Sequence, residues 1–128
     1  MPYNINWQEQ GIVTKWSGAA NSKELIQFLE EMQSNPNFDR LRFSVHDYIQ
    51  CAQIVFDEDD MDVVGALDGA GSRINPRIKV AIIADQEELR EMVIGYKRLG
   101  LTPYETRIFH NTTDAYEWIN SLGYKLEL

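Results

Sequence analysis

Residues 56–62 read FDEDDMD, and five of these seven residues are acidic. Carboxylates at this density could bind a metal ion, act as a general acid and base, or mark the start of a helix. A calcium loop places oxygen ligands at its first, third and fifth positions and a glycine at the sixth. Asp57 and Asp59 fill the first two ligand positions, but Met61 takes the third and no glycine follows. The sequence therefore predicts no metal site here.

A helix start explains the acidic stretch more simply. Asp57 is a suitable N-cap residue, and the next three carboxylates lie beside the positive end of the helix dipole, worth about 0.3–1 kcal/mol each. Acid–base catalysis would also require burial, because only burial would shift the pKa values of these carboxylates usefully. We therefore predict a helix that begins at Asp57.

The remaining residues that could do chemistry do not form a recognisable site. His46 and Asp47 are adjacent in a predicted strand, so their side chains face opposite sides of the sheet and cannot pair. Cys51 is the only cysteine, which leaves no intrachain disulfide and no thiolate metal cage. Gly69 and Gly71 lie inside a helical stretch rather than after a strand, unlike a phosphate-binding loop. We expect no catalytic residue, no cofactor and no enzymatic activity.

Charge and length limit the class of protein further. The net charge is −8 over 128 residues, which disfavours nucleic acid as a partner, because a protein must neutralise phosphates to bind it. The N-terminal MPYNINW lacks the basic and apolar regions of a signal peptide, and the longest fully apolar run, VAIIA, is too short to span a bilayer. We expect one domain, residues 1–128, located in the cytoplasm.

Hydrophobic periodicity divides the chain into five strands and four helices in the order β-β-α-β-α-β-α-β-α. Alternating or continuous apolar residues predict strands at residues 3–7, 12–16, 41–46, 78–84 and 104–109. Helical spacing predicts four helices. Asn21 caps the first in a capping-box-like start with Glu24, Asp57 caps the second, and Thr112 or Thr113 caps the fourth. The third carries Leu89 and is closed by Gly100. The inward faces of the last three helices are predicted to include Ile74, Leu99 and Leu122.

This alternation predicts an α/β fold with a five-stranded, mixed but mostly parallel sheet and four helices. A short turn joins the first strand to the second, so the first strand should be antiparallel. The run IKVAIIA, residues 78–84, is apolar on both faces and belongs in the interior of the sheet. The first and third strands each keep a polar face and could lie together at one edge. The predicted order is therefore 1-3-2-4-5.

Two consecutive segments are unusual for their positions. Residues 48–56, YIQCAQIVF, are too apolar for an ordinary loop, so they form extra strand, core cover or an apolar lip around a pocket. Residues 65–71, GALDGAG, place three glycines in one predicted helix, at a cost of about 0.8–1.0 kcal/mol each relative to alanine. Either the glycines pack closely on the sheet, or they loosen a helix that can lift away. The two segments could form one movable flap.

Four stretches of the chain resemble the bacterial SpoIIAA-like proteins: MPYNINWQEQGIVTKWSG, NPNFDRLRFSVHDY, NPRIKVAIIAD and TRIFHNTTDAYEWI. These proteins are small domains grouped with the STAS anti-sigma-factor antagonists and, more distantly, with the CRAL-TRIO lipid-transfer domains. The resemblance covers nearly the whole chain. It implies a SpoIIAA-like fold, no enzymatic activity, and binding of an apolar ligand at a membrane surface.

The chain departs from that group in one respect. STAS switches carry a phosphorylatable serine after the third strand, at the start of the next helix. Neither serine nor threonine occurs between Ser44 and the helix predicted to begin at Asp57. The phosphorylation switch is therefore not expected in this chain.

Two functions fit these observations. The first is a non-enzymatic domain that binds an apolar or amphipathic small molecule, such as a lipid, and contacts the inner face of the membrane transiently through a mobile apolar flap. Its predicted ligand-binding residues are Tyr48, Ile49, Ile54, Val55, Phe56, Met61, Val64 and Leu67, and its predicted hinge consists of Gly65, Gly69 and Gly71. The alternative is a STAS-like regulatory module that binds a protein partner, or a second copy of itself, without the serine switch.

Overall fold

The computed structural model describes residues 2–127. Its strands are β1 (Tyr3–Trp7), β2 (Gly11–Asn21), β3 (Phe43–Val55), β4 (Lys79–Ile83) and β5 (Glu105–Phe109). Its helices are α1 (Ser22–Ser34), α2 (Glu58–Ile74), α3 (Glu87–Arg98) and α4 (Thr112–Ser121), with a 3-10 turn at Phe38–Arg40. Within the described residues, the predicted succession of five strands and four helices is confirmed.

The strands of residues 2–127 form one mixed sheet in the order β1-β2-β3-β4-β5. β1 is antiparallel to β2, and the other neighbours are parallel. The α/β class, the antiparallel first strand and the interior position of β4 are as predicted, but the order 1-3-2-4-5 is wrong. Residues 8–10 alone connect β1 to β2, and the Gln8 amide donates to the Gly11 carbonyl over 2.7 Å. A connection this short closes a hairpin, which leaves no room for β3 between the two strands.

The helices cover the two faces of the sheet unequally. α1, α2 and α3 pack on one face, where Trp16 and Phe28 belong to the larger apolar core. α4 covers the other face, where Ala115 and Ile119 belong to a smaller core. Lys15 of β2 is exposed although its strand is interior. One helix cannot cover a whole face of the sheet, so part of that face is exposed to solvent. A polar side chain there can therefore belong to an interior strand as well as to an edge strand.

β2 and β3 continue together beyond the rest of the sheet. Residues 17–21 of β2 pair with residues 50–55 of β3, with one register shift before Ser17 and a second between Gly18 and Ala19. β1 and β4 stop earlier, because the last residues that they pair are Trp16 and Asp47. The apolar segment 48–56 is therefore mostly strand, which was one of the predicted alternatives.

Side-chain caps fix where the first two helices begin. Asn21 and Glu24 form the predicted capping box at α1, over distances of 2.9 and 3.0 Å. The Asp57 carboxylate accepts a hydrogen bond from the Asp59 amide over 2.9 Å. The acidic stretch thus begins α2, as predicted.

The cap of α4 differs from the prediction. It is Asn111, whose side chain accepts from the Asp114 amide over 2.8 Å. Thr112 and Thr113, the predicted caps, are the first two residues of the helix itself. Asparagine is a stronger N-cap than threonine, so the helix begins one residue earlier than the threonines indicated.

Three apolar residues that were predicted to face inward are exposed: Ile74 at 65%, Leu99 at 71% and Leu122 at 38%. Ile74 is the last residue of α2, and Leu99 and Leu122 are the C-caps of α3 and α4. Helical periodicity no longer assigns a face where the helix stops, so the spacing of these residues was misleading. After α3, Gly100 adopts a φ of 69° and turns the chain away, as predicted.

The three glycines of α2 have different surroundings. A Cβ added at Gly71 would lie 2.7 Å from Gln33 Nε2 and 2.9 Å from the Tyr104 hydroxyl. Gly71 therefore allows a close approach of α2 to α1 and to the segment before β5. A Cβ added at Gly65 or Gly69 would meet nothing within 4 Å, so close packing does not explain these two glycines.

Alanine substitutions should separate these roles. We expect Gly65→Ala and Gly69→Ala each to raise the free energy of unfolding by about 0.8–1.0 kcal/mol, because alanine is the better helix former and meets no clash. Gly71→Ala should lower it by about 1 kcal/mol, since overpacking outweighs the gain in helix propensity. Urea denaturation followed by circular dichroism measures all three. A stabilised Gly71→Ala would contradict the packing role.

Candidate functional site

A cavity of about 640 Å³ lies between α2, α3 and the sheet. Side chains of β3 and β4 form its floor, and α1, α2, α3 and the segment before β5 form its walls. Its buried apolar lining includes Leu29, Ile78 and Val93, while the exposed Leu99 and Leu101 lie at its rim. Pockets for small molecules typically measure about 300–1,000 Å³ and are mostly apolar, so this cavity has the size and character of such a site.

Part of the α2 face that lines the cavity carries no side chain. Gly65 and Gly69 lie four residues apart on this face, Gly65 exposed at the rim and Gly69 partly buried. Below them, Val80 and Ile82 of β4 are only partly buried and also line it. The run 78–84 was expected to be covered on both faces, but on this face the covering helix stands away from the strand.

α2 is held along α1 by hydrogen bonds between residues that do not line the cavity. Gln33 Nε2 donates to the Leu67 carbonyl over 2.8 Å. The Ser22 hydroxyl donates to Asp60 Oδ2 over 2.8 Å and accepts from the Asp57 amide over 3.0 Å. These hydrogen bonds fix one side of α2 and leave its other side facing the cavity.

Half of the residues predicted to bind a ligand line the cavity: Tyr48, Phe56, Met61 and Val64. Ile54 and Val55 line a neighbouring groove beside the N-terminal end of α3. Leu67 packs against the larger core, and Ile49 is exposed outside the cavity. Neighbouring side chains of a strand point to opposite faces, so the extended β3 cannot direct all of its apolar residues inward.

Sequence reasoning missed the opposite wall of the cavity and one polar group inside it. Met92 and Tyr96 contribute from α3, Tyr104 from the segment before β5, and Asp68 from α2. The apolar face of α3 was interpreted as ordinary core. For Asp68 a signal existed, because a carboxylate one helical turn after Val64 falls on the predicted apolar face of the helix.

His46 lies in a stack of aromatic rings that borders the cavity. The Trp16 and Tyr48 rings are 5.4 Å apart and nearly parallel, and His46 stacks on Tyr48 at 6.1 Å. Trp16 Nε1 can only donate, so His46 Nδ1 accepts at 3.4 Å and Nε2 carries the proton toward the Ser44 hydroxyl at 3.4 Å. Burial lowers the pKa of His46 to about 4, so the imidazole is neutral at pH 7.

Burial shifts the pKa of Asp68 in the opposite direction to that of His46. Loss of hydration raises the pKa of its carboxyl from 3.8 to about 7. Among residues 2–127, no basic side chain forms an ion pair with it. Burial and the Asp68 charge raise the pKa of Tyr104, whose hydroxyl is buried without a hydrogen-bond partner in the described part of the chain. The cavity therefore contains a carboxyl and a phenol with unused hydrogen-bonding capacity.

Comparison with known proteins identifies the fold. No protein-family model and no curated protein matches the chain. Among solved structures, it is similar to an uncharacterized protein of the DUF3478 family with a SpoIIAA-like fold from Shewanella loihica PV-4. The TM-score is 0.57 and the identity 18%, over 91% of this chain and 90% of the other. The chain has the SpoIIAA-like fold.

Two anti-sigma factor antagonists are similar to it in the same way. SpoIIAA in its unphosphorylated form gives a TM-score of 0.59 at 10% identity, over 94% of this chain and 97% of SpoIIAA. An anti-sigma factor antagonist from Mycobacterium paratuberculosis gives 0.57 at 11% identity, over 92% of each chain. Identities this low establish the SpoIIAA-like fold and leave function to be argued from the site. The resemblance predicted from the sequence is confirmed for the fold.

Asp68→Asn tests whether the cavity holds a destabilising charge. The pKa of Asp68 is raised on folding, so its contribution to stability is complete below the ordinary value of 3.8 and is lost as the pH rises through about 7. We expect the uncharged variant to exceed the native chain in stability by about 1–3 kcal/mol at pH 8 and by little at pH 4. Urea titrations at the two pH values measure the difference in the free energy of unfolding. The titration of His46 does not affect this difference, because both chains contain that residue.

Asp62→Asn is the matched control, because Asp62 also lines the cavity but is exposed. Its stability should stay within about 0.5 kcal/mol of the native chain at both pH values. If Asp68→Asn were equally destabilising at pH 4 and pH 8, the buried charge would not be the cause.

Proposed function

We propose that this chain is a non-enzymatic binding protein that holds one amphipathic small molecule in the cavity between α2 and α3. The observation that carries the proposal is the apolar cavity of about 640 Å³, lined by Gly65 at its exposed rim and by the partly buried Gly69, neither with a neighbour within 4 Å of an added Cβ. Each glycine costs the helix about 0.8–1.0 kcal/mol relative to alanine. Space kept open at that cost favours a guest molecule as its occupant.

The chemistry of the walls supports binding rather than catalysis. His46 is neutral at pH 7, and both of its ring nitrogens face hydrogen-bonding partners. The SpoIIAA-like fold does not imply a particular reaction, because fold alone does not determine function. The polar groups of the cavity would therefore orient a bound molecule.

The binding free energy expected from an apolar chain alone indicates that the ligand needs a polar head group. Burying about ten methylene groups contributes about 8 kcal/mol, at about 0.8 kcal/mol each. Association costs at least about 4 kcal/mol in lost freedom of motion. The remaining 4 kcal/mol or so corresponds to a dissociation constant of about 1 mM. An apolar chain alone would bind weakly, so tighter binding depends on a polar head.

Filling the cavity tests the proposal. Ile82 is partly buried on the floor of the cavity, so Ile82→Trp should occupy the space. Titration with the uncharged fluorescent dye Nile red should show binding to the native chain and an affinity at least about tenfold weaker in the variant, since the two compete for one volume. Unchanged dye binding would contradict the proposal.

Ile108→Trp is the matched control. Ile108 pairs with Ile82 on the neighbouring strand and is also partly buried, but it does not line the cavity. The control should bind Nile red within about twofold of the native chain, because its added volume lies outside the cavity. Equal loss in the two variants would indicate general disruption of the fold.

Movement of α2 as a flap stays a prediction. Residues 48–55 belong to β3, so the movement would be confined to α2, which is bonded to α1 on one side and has two glycines without packing neighbours. We expect the amides of residues 63–72 to exchange with solvent faster than those of residues 89–98, because regions of low local stability open first. Hydrogen exchange followed by mass spectrometry measures both helices. Equal protection would leave the glycines without a role in motion.

A second candidate is a STAS-like regulatory module that binds a protein partner. The similarity to two anti-sigma factor antagonists favours it, although Asp57 rather than a serine caps α2. Native mass spectrometry of the full chain separates the candidates. A retained small molecule supports the first, and a clean mass together with a stoichiometric protein partner supports the second.

Transient membrane contact also stays a prediction. No helix within residues 2–127 is long and apolar enough to cross a membrane. Leu99 and Leu101 are exposed at the rim of the cavity and are the residues through which peripheral contact would occur. Flotation with phospholipid vesicles, for the native chain and for Leu101→Gln, tests this separately from ligand binding.

A further inference from the structure

The charges around the cavity are all of one sign. Its charged lining residues are Glu58, Asp62 and Asp68, all on α2. Among the described residues, no lysine or arginine lines the cavity, and Lys97 of α3 donates instead to a main-chain carbonyl of β5. An anionic head group would therefore be desolvated next to carboxylates with no cation to neutralise it, which is strongly unfavourable.

Asp68 is the acidic group placed deepest in the lining. Glu58 and Asp62 are exposed near the N-terminal end of α2, whereas Asp68 is partly buried and lacks an ion-pair partner among residues 2–127. Tyr104 reaches from the segment before β5 to α2, where its hydroxyl lies beside Gly71, three residues after Asp68. Tyr104 is 7% exposed, and its hydroxyl has no hydrogen-bond partner in the described residues. A carboxylate accepts hydrogen bonds and a phenol oxygen can accept one as well.

We propose that the cavity binds a cationic amphiphile, with its apolar chain between α2 and the sheet and a primary ammonium group donating to Asp68 and Tyr104. The inference rests on the proposed function and names the class of its ligand. An ammonium group carries three donors and no acceptor, and the two oxygens of the Asp68 carboxylate together with the phenol oxygen of Tyr104 supply three acceptors for them. It also supplies the positive charge that the lining lacks.

The ionisable groups that face Asp68 make this pairing dependent on pH. β3 contributes His46, which is neutral above about pH 4, and Tyr48, whose pKa burial raises. α3 contributes Tyr96 and the segment before β5 contributes Tyr104, both with raised pKa values, so both are neutral at pH 8. α2 itself contributes the charged Glu58 and Asp62 at the rim, while α1 and β4 contribute no ionisable lining residue.

The consequence for an ammonium ligand has a definite sign. The pKa of Asp68 is raised to about 7 in the empty cavity, so its carboxyl is largely protonated at pH 6 and charged at pH 8. An ammonium ligand pairs with the charged form, so its affinity should increase as the pH rises through about 7. A neutral ligand of equal length should show no such increase.

Three ligands of equal chain length test the assignment: dodecylamine, dodecanol and dodecanoate, each titrated by calorimetry into the full chain below its micelle concentration. At pH 8 we expect dodecylamine to bind at least about tenfold more tightly than dodecanol, because its hydrogen bonds are charge-assisted, and dodecanoate to bind most weakly. Asp68→Asn should lose about tenfold for dodecylamine and stay within about twofold for dodecanol. Asp59→Asn, which removes an exposed charge of α2 outside the cavity lining, should keep the preference for the amine.

The possible outcomes separate the two levels of the proposal. Absence of binding by all three ligands overturns the proposed function itself. Binding of dodecanol as tight as that of dodecylamine, or tightest binding of dodecanoate, overturns the head-group assignment and leaves the cavity as a binding site. If Asp68→Asn fails to fold, the native chain decides, because a pH-independent ratio of amine to alcohol affinity between pH 6 and pH 8 also overturns the assignment.

Discussion

The close approach of α2 to α1 at Gly71 determines where the rest of α2 can lie. An added Cβ there would come within 3 Å of the side-chain ends of Gln33 and Tyr104, so glycine lets the two helices meet along this line without displacing those side chains. Because α2 is fixed on that side by the Gln33 bond to Leu67, its opposite side stands away from β4. The absence of a side chain at Gly71 thus positions the helix, while Gly65 and Gly69 add no side-chain volume to the part of the helix that lines the cavity.

Features of the fold that depend on a few neighbouring residues were predictable from the sequence. The capping box at Asn21 and the N-cap at Asp57 are of this kind, since each is completed within three residues. Strand order was not predictable in the same way, because it depends on the hairpin between β1 and β2 and on how much of each face is covered. Lys15 is an example: its side chain marks a part of the sheet face that no helix covers, but it does not indicate whether its strand lies at the edge of the sheet.

The candidate site was predictable on the side that the chain builds from adjacent segments, β3 and the start of α2. Its other side comes from α3, where Met92 and Tyr96 repeat with the same spacing that core residues have. Helical periodicity reports which side of a helix faces inward, but not whether that side meets protein or empty space. Asp68 was the one residue whose type, on an otherwise apolar face, distinguished a cavity from a core.

The stacking of Trp16 on Tyr48 makes the intrinsic fluorescence of Trp16 a reporter of what occupies the cavity. Tyr48 forms part of the cavity wall, and Trp16 is fully buried behind it. Trp118, in contrast, lies in the smaller core on the opposite face, under the Arg107 guanidinium. A quenching group carried into the cavity would therefore dim the indole emission of Trp16 more than that of Trp118, while burial shields both rings from direct contact with a quencher dissolved in water. The fold thus places a natural chromophore one ring away from the space that a guest would fill.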